Sequence, residues 1–319
     1  MNKAASLQRF LFVTDSGRWL DILRLGLGLQ VILFAWSLRP DWQSLFGQER
    51  GGQVSRLLIE AVLSGNSSLT PRLGWLINAG QFTGLSDTAI LWIIWSALFC
   101  SGGLLFVGLW PRFVSIASWL LYLATVKSGV LFSYGVDNFT ITGLFYLMIA
   151  PVSRSPWLAG KQSNTSLRTR ERLGFHRRIL QLHLCIVYFF AGFSKCFASG
   201  WWNGDNIWGA LTRPPFNVLT PEFLLHFESL FVLLGTFVCL VETGYPIFIW
   251  PRKTRGLWLL LIIVMHLGIG LTMGLYLFAW IMITLNLSAF GAELFPGEGW
   301  ILDRPRLFRP HIVAPSGRG

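Results

Sequence analysis

Lys195 closes the segment Tyr188-Phe189-Phe190-Ala191-Gly192-Phe193-Ser194-Lys195. A charge inside a bilayer costs about 2.5–3.5 kcal/mol on insertion scales, so an ionisable residue in an apolar run is a candidate for chemistry. Aromatic and small neighbours can desolvate a lysine at this position. That favours the neutral amine, which can act as a general base. The plain alternative is an interfacial lysine that anchors its helix. Glu228 and Glu242 share another apolar run. At about 100° per residue, their spacing returns to within about 40°, which puts both carboxylates on one helix face. At least one is expected to pair with a buried Lys, Arg or His. His266, His183 and His226 also fall in or beside apolar runs. For each, the alternative to a mechanistic role is a satisfied core hydrogen bond. No two of them stand at i, i+4, so no metal site is expected. Lys127 is within reach of an interface. Asp137 and Asn138 open an apolar run, where they serve either as helix caps or as site residues. Arg24 is expected to snorkel to the nearer interface.

The elements that carry these residues are membrane helices. The chain has 319 residues, of which 53% are hydrophobic and 13% charged. Its mean hydropathy is +0.55. A soluble domain carries about 25% charged residues, so a soluble globule is excluded. The 16 Trp and 26 Phe suit membrane interfaces. Continuous apolar runs, rather than ten-residue alternations, argue against a β-barrel. The expected fold is all-α and polytopic. Eight spans are read near 20–38, 88–110, 112–132, 134–151, 178–195, 222–250, 256–275 and 275–291. They divide the chain into an N-terminal segment 1–19, a membrane domain 20–291 and a tail 292–319. The first twenty residues show no cleavable secretory signal.

With eight spans, most of the 26 basic residues fall on one side. They cluster before residue 20, in 152–178, in 251–255 and in the tail. The positive-inside rule then places both termini in the cytoplasm, and in a bacterium the membrane is the cytoplasmic (inner) one. This accounts for the net charge of +11 without nucleic acid. On the opposite side, 39–87 is the longest loop. Val54, Leu57, Leu58, Ala61 and Val62 recur there at helical spacing, which predicts an amphipathic helix on the lipid surface. The loop 196–221 carries Trp201, Trp202 and Trp208, and Asn203-Gly204-Asp205 can start a short helix. The four cysteines lack metal or redox spacing. Lys127, Asp137, Asn138, Lys195, Asp205, His226 and Glu228 all fall at the outer leaflet, which predicts an outward-facing polar pocket.

Three stretches carry a resemblance. The first runs from Gln181-Leu182-His183 through Ala191-Gly192-Phe193-Ser194-Lys195 to Trp201-Trp202-Asn203-Gly204 and Trp208-Gly209-Ala210-Leu211. The second is Tyr134-Gly135-Val136-Asp137-Asn138, continuing to Ala150-Pro151. The third is His266-Leu267-Gly268-Ile269 with Met273-Gly274 and Phe278-Ala279-Trp280. Together they resemble the HTTM domain family, the membrane domains related to vitamin K-dependent γ-carboxylase. The resemblance implies a lysine base, matched by Lys195, that deprotonates a quinol on the outer side. It also implies a quinone or quinol as cofactor or substrate. The carboxylase has two adjacent lysines where this chain has Ser194-Lys195, and a large lumenal portion where this chain offers only 39–87. The expected activity is therefore that of a carboxylase-like membrane enzyme acting on a quinol or other lipid-soluble substrate, with true protein γ-carboxylation disfavoured. The alternative is a membrane helper that matures or exports a secreted peptide, as in sporulation-delaying toxin systems, without redox chemistry. A proton-coupled carrier is disfavoured because no internal repeat is visible.

Overall fold

The computed structural model describes residues 3–47, 56–67, 69–129, 132–151 and 166–294. The stretches 152–165 and 295–319, with their share of the basic residues, lie outside it. Among the described residues the fold is all-α, without strands. Five helices are long and apolar enough to cross a membrane.

In chain order the helices are α1 (Lys3–Leu11), α2 (Arg18–Leu38), α3 (Trp42–Phe46), α4 (Arg56–Asn66), α5 (Leu73–Gln81), α6 (Asp87–Val107), α7 (Pro111–Ser128) and α8 (Gly135–Ile149). There follow α9 (Leu167–Cys196), α10 (Ser199–Trp202), α11 (Asp205–Thr212), α12 (Pro221–Leu225), α13 (Glu228–Phe248), α14 (Arg252–Met273) and α15 (Tyr276–Asn286). A π-helical turn, Leu287–Gly291, extends α15. The five long helices are α2, α6, α9, α13 and α14.

Boundaries follow local chemistry. Ser86 caps α6 by accepting the Ala89 N–H, and Gly108 ends it in the left-handed region at φ 85°. Pro111 opens α7 in the first turn, where its missing N–H is harmless. Two sequence boundaries move. The fifth span, expected from 178, belongs to a 30-residue helix that starts at Leu167. Its arginine-rich first third reads as loop by hydropathy but continues the same helix. The sixth, expected over 222–250, breaks at Phe227, whose φ of −118° and ψ of 17° leave the helical region, so α13 begins at Glu228. The amphipathic helix expected in 39–87 is α4, with Leu57, Leu58 and Val62 exposed and Ile59 and Leu63 buried. Asp205 starts α11, as the Asn-Gly-Asp sequence predicts.

Helix α2 runs through the centre, with Trp19, Leu23, Leu27, Val31 and Ala35 fully buried. It packs on α6, α8 and α15. The α2–α6 crossing is close because a Cβ on Gly28 would stand 2.6 Å from the Phe106 N. Small residues let membrane helices approach this closely. Arg24 does not snorkel. It is buried and donates from Nη1 to the Leu105 O at 2.6 Å and the Phe106 O at 2.8 Å. The last carbonyls of α6 have no partner in their own helix, so a fixed cation there meets both the hydrogen bonds and the helix dipole. A second group is built on α9 packed along α13, with α14 and α15 beside it. Over the 39–87 side, Trp42, Phe46, Leu73 and Ile77 form a smaller core against Leu91 and Ile94 of α6.

At the other end, charge holds the helix ends together. Arg177 donates from Nη1 to Asp15 Oδ2 at 2.8 Å and from Nε to the Ala289 O at 2.9 Å. Glu293 takes ion pairs from Arg177 and Arg255. Burial alone would raise the Glu293 pKa, but the two arginines outweigh it and hold the carboxylate below its usual range. A depressed folded-state pKa contributes stability above the unfolded value and loses it as pH falls through the folded one. Melting temperature is therefore expected to fall on acidification from the ordinary glutamate pKa downward. Glu293→Gln should flatten that part of the profile, and an unchanged profile would remove Glu293 from the account.

Candidate functional site

The site is built where α9 meets α13. A Cβ on Gly192 would lie 2.5 Å from the Thr243 N and 2.8 Å from the Glu242 C, so only glycine lets the two backbones approach. Lys195 is one turn further along α9. Its ammonium donates to Glu242 Oε2 in a short ion pair. The Glu242 side chain is 9% exposed and that of Lys195 is 21% exposed. The carboxylate is thus the more enclosed of the two groups and the ammonium the more exposed. The Lys195 Nζ lies 5.2 Å from the centroid of the Trp201 ring, within cation–π range. The Trp201 carbonyl is close to α13, only 2.0 Å from where a Cβ on Gly235 would stand. Beside the pair, Cys196 Sγ is 3.5 Å from Thr243 Oγ1.

Deeper between α9, α13, α14 and α15 runs a continuous polar chain. Tyr245 Oη donates to Asn286 Oδ1 at 2.7 Å. Asn286 Nδ2 donates to Tyr188 Oη at 2.8 Å and to the Met282 O at 2.8 Å. Tyr188 Oη meets His266 Nε2 at 2.8 Å. The Tyr188 and Tyr245 rings pack with centroids 4.2 Å apart. Tyr188 is two turns before Lys195 on α9, and Tyr245 follows Glu242 by less than one turn, so the chain and the ion pair share helix faces. Buried polar groups in a membrane must satisfy one another, and this set does so except at His266 Nδ1.

The structure sorts the sequence candidates. Lys195, Glu242 and His266 belong to one buried region. Glu228 and Glu242, expected on one face, separate by environment: Glu228 is exposed in the first turn of α13 and Glu242 is buried. Asp137 is buried as a structural group, accepting the Tyr122 O–H at 3.0 Å and the Tyr134 N–H at 3.0 Å, and so closes the start of α8. Asn138 beside it is exposed. Lys127 is exposed in the last turn of α7, where a cation suits the helix dipole. Asp205 is exposed and takes a hydrogen bond from Asn203 Nδ2 at 2.6 Å. His226 is exposed, with Nδ1 2.9 Å from the Glu222 O. His183 bonds Tyr146 Oη through Nδ1 at 3.0 Å and ties α9 to α8. Shared depth therefore does not make a shared pocket: these outer groups have their own local partners or face outward, on different helices.

Sequence reasoning missed Tyr188, Tyr245 and Asn286, and read Trp201 as part of a Trp-rich outer loop rather than as a neighbour of Lys195. The signal for Tyr188 was its two-turn spacing from Lys195. That for Asn286 was a carboxamide in an otherwise apolar run. Three or more His, Cys, Asp or Glu residues grouped to hold a metal ion do not occur among the described residues. The cysteines are free, with Cys185 and Cys239 buried as small hydrophobes and Cys100 exposed.

Chemically, a lysine paired with a carboxylate can serve as a proton relay. Lys195 can pass a proton to Glu242 and take one from a molecule beside it. The charge then moves from the carboxylate to the new anion, which the ammonium faces. Comparison with family models, curated proteins and solved structures finds no match for this chain.

Proposed function

We propose that this protein is a multi-pass membrane enzyme that deprotonates a lipid-soluble quinol at a site open to the outer side. The observation that supports it is the partly exposed Lys195 ammonium paired with the more deeply buried Glu242 carboxylate. In the proposed step, the quinol O–H proton goes to Lys195 as Lys195 gives one to Glu242. The quinolate is left against the ammonium and Glu242 is left neutral. The resemblance of the Ala191-Gly192-Phe193-Ser194-Lys195 segment to the HTTM domains supports the same reading.

The topology proposed with it has eight crossings and both termini in the cytoplasm. The five long helices are joined by α7, α8 and α15 with its π turn, which are 18, 15 and 16 residues long. The contact of Arg112 with the Ala150 O at 3.0 Å and the Asp15, Arg177, Glu293 and Arg255 cluster support a reading in which alternate helix ends share one side. That side carries the basic excess, so it is the cytoplasmic one.

The test is mass spectrometry of lipid-soluble compounds extracted from protein purified in mild detergent. A quinone near stoichiometric occupancy in wild type, lost in Lys195→Ala, is the expected result. No quinone in either preparation would overturn the reading and favour the peptide-helper alternative.

A further inference from the structure

His266 is 3% exposed, and its Nδ1 has no hydrogen-bond partner among the described residues. The polar chain fixes which proton that nitrogen carries. Asn286 Nδ2 donates to the Met282 O, which can only accept, and this sets the carboxamide orientation, with Oδ1 toward Tyr245 and Nδ2 toward Tyr188. Tyr188 Oη accepts from Asn286, and donating to His266 Nε2 is the arrangement that leaves no buried tyrosine proton unbonded. A neutral imidazole that accepts at Nε2 carries its hydrogen on Nδ1. Nδ1–H is thus an oriented donor without an acceptor, deep in an apolar region. Such a donor destabilises the fold unless something bonds it. The Phe278 ring packs edge-on against the imidazole with centroids 5.6 Å apart, and contacts Phe139 of α8 on its other side at 6.0 Å. Phe278 is only partly buried, and it follows the α14–α15 turn.

We infer that His266 Nδ1–H is the anchor for an acceptor oxygen of the ligand that reacts at Lys195, with the Phe278 ring moving aside to admit it. This rests on the proposed reading of the Lys195 site and adds the residue that holds the quinol's second oxygen. Tyr188, Asn286 and Tyr245 are positioning residues, since they set the tautomer and touch no substrate in this assignment.

The test is binding to detergent-solubilised full-length protein, read by quenching of tryptophan fluorescence. The probes are a naphthoquinone and naphthalene, which differ in the acceptor oxygens. Wild type should bind the naphthoquinone at least about tenfold more tightly than naphthalene, the value of one good hydrogen bond. The variants His266→Asn and His266→Gln separate the two ring nitrogens. The Asn amide places a donor where Nδ1 stands, and the longer Gln amide reaches instead toward Tyr188. The preference should survive in His266→Asn and vanish in His266→Gln, each checked by its melting curve. A preference kept in His266→Gln and lost in His266→Asn would make His266 a support for Tyr188 only and overturn the anchor. It would leave the Lys195 reading intact. No preference in wild type would overturn the anchor, while the Lys195 reading is tested separately by the quinone content of the purified protein.

Discussion

Replacing Lys195 alone with methionine should cost about 3–5 kcal/mol of stability, because it leaves the Glu242 carboxylate buried without its counter-ion. Replacing both, as Lys195→Met with Glu242→Leu, should restore most of that loss. The reason is the asymmetry of buried ion pairs: desolvating two charges offsets much of their attraction, whereas stranding one has no compensation. Glu242 is the more deeply enclosed partner, so Lys195→Met should be the worse single variant. Glu242→Leu leaves an ammonium that is more exposed and beside Trp201. Denaturant unfolding in a fixed detergent gives the three differences and their coupling. A double variant as unstable as Lys195→Met would show that the two residues do not act as a pair. The stable double variant should also be inactive, which separates the chemistry of the pair from its part in folding.

The second large effect is expected at Gly192. A single methyl there meets the backbone N of Thr243 at 2.5 Å, and a peptide group cannot rotate away as a side chain does. Gly192→Ala should lower stability by about 1–3 kcal/mol, the usual cost of overpacking. Bound quinone should be lost in the same variant, since separating α9 from α13 pulls Lys195 off Glu242. The control is Gly103→Ala on α6, where a Cβ would meet nothing within 4 Å. That change should be neutral or slightly stabilising through helix propensity. Wild-type stability and quinone content in Gly192→Ala would mean that the close approach is not what aligns the pair.

Much of the fold was legible because membrane helices announce themselves by length and apolarity. The apolar parts of α2, α6, α9, α13 and α14 coincide with expected spans. Lys195, Glu242 and His266 were legible for a related reason, since charge and imidazole are costly in a bilayer. What failed was inference from depth. Asp205, His226, Glu228, Lys127 and Asn138 share a predicted level with Lys195, but level along the membrane normal says nothing of angle around a helix or of which helices touch. The pairing of Lys195 with Glu242 depends on the packing of α9 against α13, and the sign of that packing in the sequence is a single residue, Gly192. Arg24 misled in the same way. Its nearness to a helix end suggested snorkelling, whereas the uncapped carbonyls of α6, which no sequence pattern assigns to it, claim the guanidinium. The polar chain through Tyr188, Asn286 and Tyr245 was hidden because tyrosines in apolar runs read as ordinary interface aromatics.

The most direct test of proton removal is the absorbance spectrum of a hydroquinone bound to the protein under anaerobic conditions at neutral pH. In wild type the account predicts the red-shifted band of the quinolate anion, and in Glu242→Gln, which keeps Lys195, it predicts the spectrum of the neutral hydroquinone. A bound hydroquinone that stays neutral in wild type would contradict it.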